Sequence, residues 1–190
     1  LFGRSLTKNY SLWLHAASVG EMKIAMKVSK YLLKKGYKDI LITSNTPSSE
    51  FIFKESNLNG VTHCYLPFDF FFATKKFVKS VSADLLIIIE TDIWPNLYSL
   101  CKKNKTNIIT INGRFNPPQG LLGLMSKKLY KSTLDKINHI YCKSERDVSA
   151  FKDYVDDNKI SLTGNIKHSL VTNDVSEERI VDKKYVLLAS

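Results

Sequence analysis

Five consecutive apolar residues, Leu85-Leu-Ile-Ile-Ile89, stand between Asp84 and Glu90 with no polar residue among them. A strand with one solvated face alternates apolar and polar side chains, so an unbroken run of leucine and isoleucine marks a strand covered on both faces. Such a strand belongs in a parallel sheet between two helical layers. The rest of the chain supplies its neighbours. The patterning predicts strands at Leu12–Ala16, Asp39–Ser44, Val61–Leu66, Asp84–Glu90, Asn107–Asn112, His139–Lys143 and Lys159–Thr163. Between them it predicts helices at Gly20–Lys35, Ser48–Glu55, Phe70–Ser80, Trp94–Lys103, Leu121–Asp135 and Ser144–Tyr154. In the first helix Met22, Ala25, Met26, Val28, Ser29, Leu32 and Leu33 share one face, with lysines opposite. The expected fold is a Rossmann-like α/β domain, a parallel sheet flanked by helices.

The texture changes after Thr163. Gly164 to Glu178 is polar, and Lys184-Tyr-Val-Leu-Leu-Ala-Ser190 reads as a fresh buried strand. The expectation is one domain over residues 1–168, then a linker and the first strand of a further domain over 169–190. The chain opens at Leu1 rather than methionine and so reads as cut from something longer.

Composition excludes several classes. The apolar share of 44% and charged share of 24% are those of a globular chain, not a disordered one. The run Leu85–Ile89 is far short of the roughly 18 apolar residues that a membrane-spanning helix needs. Cys64, Cys101 and Cys142 are scattered and odd in number, which argues against a disulfide framework or a zinc site. They are expected to be reduced and to pack as small apolar groups. The net charge is +10, carried almost wholly by lysine, with arginine only at Arg4, Arg114, Arg146 and Arg179. Base and phosphate reading favours arginine, and no nucleic-acid motif is present, so nucleic acid is not an expected partner. Diffuse attraction to an anionic membrane surface fits better. A lysine-rich solvated face with no partner accounts for the charge equally well.

In an open parallel sheet, ligands bind beyond the carboxyl ends of the strands, and four polar clusters fall there. In Leu14-His-Ala-Ala-Ser-Val-Gly-Glu21, Ser18 and Glu21 have the spacing of a capping box. The competing reading makes Glu21 a general base. A helix N-terminus weakens a carboxylate as a base, so that reading requires burial or a nearby second carboxylate to raise its pKa. Glu90-Thr-Asp-Ile-Trp-Pro-Asn96 offers the neighbours. Asp92 reads equally well as an ordinary N-cap. Glu90 ends a strand buried on both sides, and a buried acid needs a partner or a role. Asn112-Gly113-Arg114 and Gly164-Asn-Ile-Lys-His168 follow later strands, the latter placing Lys167 as a cation for developing negative charge or as part of a plain turn. No phosphate-binding glycine loop and no metal-ligand spacing occurs. His63 and His139 fall in strand patterns and read as core or edge residues.

In order and spacing these clusters resemble one family. Trp13-Leu-His-Ala-Ala-Ser-Val-Gly-Glu21, Tyr65-Leu-Pro-Phe-Asp69, Glu90-Thr-Asp-Ile-Trp-Pro-Asn96, Asn112-Gly-Arg114 and Thr163-Gly-Asn-Ile-Lys167 are similar to motifs of the 3-deoxy-D-manno-octulosonic acid (Kdo) transferases of lipopolysaccharide core synthesis. The resemblance implies the N-terminal, acceptor half of a GT-B glycosyltransferase. The implied reaction is inverting transfer of Kdo from the donor CMP-Kdo to lipid A precursor at the cytoplasmic face of the bacterial inner membrane, with no metal or cofactor. It assigns Glu21 as general base, Glu90 and Lys167 to transition-state support, and Ser18, Gly20 and Arg114 to acceptor binding. On this view the donor half is missing, and the chain alone is expected to be inactive.

The sequence departs from the family pattern twice. Thr46-Pro-Ser-Ser49 stands where Thr-Pro-Thr-Gly is usual, and Arg114-Phe-Asn-Pro-Pro-Gln119 lacks a serine and a basic residue. An alternative reading is a non-catalytic, lipid- or membrane-binding remnant of such an enzyme. It rests on Phe70-Phe71-Phe72 beside Lys75 and Lys76, and on Lys127, Lys128 and Lys131. Those phenylalanines serve equally well as the core-facing side of a helix.

Overall fold

The computed structural model describes residues 9–117 and 120–166. Its elements alternate throughout: β1 (Leu12–His15), α1 (Val19–Lys34), β2 (Ile40–Ser44), α2 (Pro47–Glu55), β3 (Val61–Tyr65), α3 (Phe71–Val81), β4 (Leu85–Ile89), α4 (Pro95–Lys103), β5 (Asn107–Gly113), α5 (Gly120–Leu134), β6 (His139–Cys142), α6 (Glu145–Lys152) and β7 (Ile160–Leu162). The strands form one sheet in the order β3-β2-β1-β4-β5-β6-β7, and every pairing is parallel. This is the Rossmann-like α/β architecture that the apolar run predicts. The expected linker and strand beyond residue 168 lie outside the described residues.

Alternation along the central strands sorts the core into two layers. Leu86 and Ile88 of β4 pack with Trp13, Leu41 and Ile108, and with Val78, Leu97 and Leu134 from α3, α4 and α5. Ile87 and Ile89 point the other way, into a cluster with Leu12, Leu14, Ile40 and Ile42 and with Met22, Ile24 and Ala25 of α1. Fully burying each such side chain contributes about 1.5–3 kcal/mol, so β4 is held from both faces of the sheet. Ile24 lies outside the apolar face read from the sequence, yet it is buried against the second layer.

The strands end earlier than their apolar runs suggest. Ala16, Leu66 and Glu90 fall just outside β1, β3 and β4. Glu90 leaves the sheet with φ 60, a left-handed conformation that ends the extended chain. Beyond Lys152, α6 gives way to turns through Asp153, and Phe151, Tyr154 and Val155 still reach the core. By contrast β5 runs on to Gly113, where its register with β6 shifts between Thr110 and Gly113. A side chain at Gly113 would stand 3.2 Å from Ile140 Cγ2 and 3.3 Å from the Tyr141 carbonyl oxygen, so glycine gives the two strands their close approach there and any larger residue would press on β6.

The cysteines are unpaired, and burial pushes the thiols of Cys64, Cys101 and Cys142 up to about 12. They are packing groups, as expected. His63 and His139 sit on strands, each hydrogen-bonded to a serine on the neighbouring strand, Ser44 and Ser161 respectively.

Candidate active site

The chain leaves β1 toward β2 on one side and β4 toward β5 on the other, so the two strands flank the point where the winding direction reverses. The crevice outside their carboxyl ends is where open α/β sheets bind ligands. A hollow of about 320 Å³ opens here, lined among others by Glu21, Glu90, Thr91, Arg114, Asn116 and Tyr130. Three residues singled out from sequence, Glu21, Glu90 and Arg114, thus converge from the ends of β1, β4 and β5.

Glu21 sits in the first turn of α1. Ser18 caps that helix, its Oγ accepting from the Glu21 backbone N–H at 3.3 Å. The Glu21 carboxylate accepts from the Ser18 hydroxyl at 2.7 Å and from the Ala17 N–H at 2.7 Å, one oxygen to each. The capping interaction is therefore real, but it does not consume the group. Each carboxylate oxygen has about two acceptor positions, and one on each remains for a substrate hydroxyl. Burial raises the Glu21 pKa above its ordinary value, the two hydrogen bonds partly oppose that, and the negative charges of Asp92 and Glu90 raise it further. Burial and neighbouring carboxylates, either of which would raise a carboxylate at a helix N-terminus, thus both act on Glu21.

Glu90 holds its left-handed backbone at the hollow's edge, a conformation that costs a non-glycine residue about 1 kcal/mol or more. Its N–H donates to the Ile111 carbonyl at 3.0 Å, which fixes the strained turn against β5. Asn112, at the same level on β5, also has positive φ. Its side-chain oxygen accepts from the Ile166 N–H at 3.2 Å and so ties the Gly164-Asn-Ile turn to the end of β5. Lys167, the next residue, lies outside the described residues. Gly20 lies in the first turn of α1, where an added side chain would meet only Ser18 Oγ, at 3.9 Å.

Asp92 is not the N-cap of α4. Trp94 occupies that position without a side-chain cap, and Asp92 turns instead toward His15, whose Nε2 lies 3.3 Å from Asp92 Oδ2. His15 is buried, 1% exposed, and its Nδ1 lies 2.9 Å from the Thr43 hydroxyl, which also accepts from the Trp13 indole N–H at 2.8 Å. The Thr43 hydroxyl also donates to the Leu14 carbonyl oxygen at 3.4 Å, and the second imidazole nitrogen, Nε2, faces Asp92. Tyr98 holds the Asp92 backbone from below, its hydroxyl 2.5 Å from the Asp92 carbonyl oxygen. The Asp92 side chain held this way is one of the two carboxylates that raise the Glu21 pKa. Sequence reading quoted His15 without giving it this role.

Asp69, likewise unassigned from sequence, caps α4 from a distance. Its two carboxylate oxygens accept from the N–H groups of Asn96 and Leu97, each at 2.9 Å, and its carbonyl accepts from the Asn96 side chain. Pro95 at the start of the helix has no N–H to offer, so these are its first free donors. Asp69→Ala is expected to lower stability by about 1–2 kcal/mol, read as a reduced urea midpoint at unchanged slope. An unchanged midpoint would mean that water caps α4 equally well. At the first departure from the family pattern, Thr46 caps α2, and Ser49 fills the glycine position as a buried residue whose hydroxyl lies 2.7 Å from Thr46 Oγ1.

A family described as 3-deoxy-D-manno-octulosonic-acid transferase (kdotransferase) matches residues 2–170. Among curated proteins, the 3-deoxy-D-manno-octulosonic acid transferase of Rickettsia bellii is 29% identical over 192 residues, covering 95% of this chain and 45% of its own length. The protein of the same name from Rickettsia felis is 31% identical over 175 residues, 89% of this chain and 36% of its own. That from Haemophilus influenzae is 29% identical over 168 residues, 86% of this chain and 39% of its own. The chain spans less than half the length of each of these relatives.

Proposed function

The chain belongs to the 3-deoxy-D-manno-octulosonic-acid transferase family, and from that premise we propose that it forms the acceptor half of a GT-B enzyme that moves Kdo from CMP-Kdo to lipid A precursor. The observation that carries the proposal is the Glu21 carboxylate. It is oriented by Ala17 and Ser18, raised by burial and by Asp92 and Glu90, and set in the hollow at the switch point.

In the proposed step, an acceptor hydroxyl enters the hollow and hydrogen-bonds to a free position on Glu21. Its oxygen attacks the anomeric carbon of Kdo from the face opposite the CMP group. Glu21 takes the hydroxyl proton as the new bond forms, and CMP departs with the bonding pair on its phosphate oxygen. The anomeric configuration inverts. Glu90 faces the positive charge that develops on the sugar, and Lys167 is assigned the negative charge on the leaving phosphate. Ser18, Gly20 and Arg114 bound the acceptor side. The step uses the two substrates and no cofactor.

The acceptor is a lipid, so the reading places the protein at the cytoplasmic face of the inner membrane. Among the described residues no helix is long and apolar enough to cross a membrane. Support for surface contact comes from Phe70, Phe71 and Phe72, which are exposed at the start of α3 rather than core-facing. They belong to the helical layer that also carries exposed Leu121 and Met125 on α5.

The test is transfer by the protein expressed from its full reading frame, with CMP-Kdo as donor and lipid A precursor as acceptor, the product identified by mass. Kdo addition supports the reading. No product, with vesicle binding retained, would overturn it in favour of the non-catalytic lipid-binding alternative.

A further inference from the structure

The loop between β4 and α4 forms one wall of the hollow and is tied to β1 through a single side chain. Glu90, Thr91 and Ile93 line the hollow, whereas Asp92, between them, does not. From Thr91 to Ile93 the loop makes two polar contacts with the rest of the described residues, both through Asp92. Its carbonyl accepts from the Tyr98 hydroxyl, and its carboxylate meets His15.

The second contact is mutual. His15 Nε2 and Asp92 Oδ2 stand 3.3 Å apart, both atoms are shut off from solvent, and neither hydrogen-bonds to another described residue. A buried polar atom left without a partner is costly, so each keeps the other in place. The imidazole is itself fixed. Its Nδ1 lies 2.9 Å from the Thr43 hydroxyl, the Trp94 ring stands edge-on to it with centroids 6.1 Å apart, and His15 pairs with Thr43 on one side and Ile88 on the other.

The negative charges that act on Glu21 come from Asp92 and Glu90, both in this loop. Arg114 from the end of β5 and Tyr130 from α5 line the same hollow. The polar and ring contacts of His15 are with Thr43, Asp92 and Trp94 and with none of these groups. The route from His15 to Glu21 therefore runs through Asp92. A carboxylate can only accept, so an imidazole that holds it must present a proton at Nε2.

We propose that His15 is a positioning residue of the transfer reaction: with a proton on Nε2 it holds the Asp92 carboxylate, and with it residues 90–93, where they serve the base Glu21. The inference rests on Glu21 being the base, and it adds a buried residue that acts on the reaction without meeting either substrate.

The test is the pH dependence of kcat/KM for the protein expressed from its full reading frame, with CMP-Kdo and lipid A precursor as substrates and circular dichroism confirming each fold. In His15→Asn an amide can still meet Thr43 but is too short to reach Asp92. The Asp92 side chain, already 32% exposed, is then free to turn toward water, where its charge is screened. The acid limb is expected to move to lower pH, as far as it does in Asp92→Asn, and the double variant His15→Asn/Asp92→Asn is expected to move no further. A limb that stays in place or rises in folded His15→Asn, or a double variant in which the two shifts add, overturns the inference while leaving Glu21 as the base. The contact is also read with His15 intact, by nuclear magnetic resonance of protein carrying isotope-labelled histidine. The His15 Nε2 resonance is expected to be that of a protonated ring nitrogen and to shift in Asp92→Asn. A bare Nε2, or one indifferent to Asp92→Asn, overturns the inference even where His15→Asn does not fold. No transfer by the wild type overturns the proposed function itself, and this inference with it.

Discussion

Replacing Glu21 with glutamine is expected to lower the rate of transfer by about 10²–10⁴-fold, the range for loss of a general base, without unfolding the protein. Glutamine keeps the shape and one acceptor oxygen for Ala17 N–H, and its amide can donate to Ser18. What it cannot do is take a proton. Stability separates this role from a purely structural one. The folded state raises the Glu21 pKa, so it binds the proton more tightly than the unfolded chain does. Above the raised pKa the half-buried charge disfavours the fold, and that penalty is relieved as pH falls through the raised pKa. Glu21→Gln is therefore expected to be as stable as the wild type, or more stable, at neutral pH, with the difference shrinking as the solution is acidified. Transfer runs the opposite way. It needs the deprotonated carboxylate and should fall as pH drops through the same pKa. Asp92→Asn, which removes the larger of the two charges raising Glu21, should move that acid limb to lower pH. Near-normal turnover by folded Glu21→Gln protein would reduce Glu21 to its capping role.

Local pattern carries the fold here because both of its determinants are local. The unbroken apolar run of β4 requires cover on two faces, and the period of α1 supplies it. Candidate residues were legible where a polar side chain ends a buried strand, as with Glu90 and Arg114, or opens the helix that follows one, as with Glu21. Asp69 and His15 were not, because their roles depend on partners distant in sequence. Asp69 caps a helix that begins at Pro95, and His15 meets Asp92 only once β1 and β4 pair. Sequence left an N-cap reading of Asp92 open for the same reason: its spacing suits a cap, but Asp69 supplies the capping carboxylate. The exposure of Phe70 and Phe72 was beyond sequence for another reason. Apolar residues at helical spacing point inward by default, and α3 buries Thr74, Val78 and Val81 instead.

That outward aromatic cluster gives the second large effect. Phe70 and Phe72 are 73% and 84% exposed, Phe68 stands beside Phe70, and Lys75, Lys76 and Lys79 follow on the exposed surface of α3. Aromatic residues flanked by lysines suit the headgroup region of an anionic bilayer. The carboxyl rim that holds Glu21 also carries the loop from β3 into α3, so a surface touching these phenylalanines lies on the side from which the proposed lipid-borne acceptor would arrive. Each lysine near such a surface contributes about 1 kcal/mol, screened within about 8 Å at physiological salt. Lys75→Gln/Lys76→Gln/Lys79→Gln is therefore expected to weaken binding to phosphatidylserine-containing vesicles by about 10²-fold at low salt and to flatten the dependence on salt. Phe68→Ser/Phe70→Ser/Phe72→Ser should also weaken binding, but leave the salt dependence unchanged, because apolar contact is not screened by ions. Lys127 lies over the ring of Tyr154, just past α6, at 5.9 Å from its centroid, so replacing Lys127, Lys128 and Lys131 together should have the smaller effect. Vesicle flotation with anionic and neutral lipid distinguishes the cases. Equal binding to both, or no binding to either at low salt, would make the lysine excess a solvated surface and leave the phenylalanines without a membrane role.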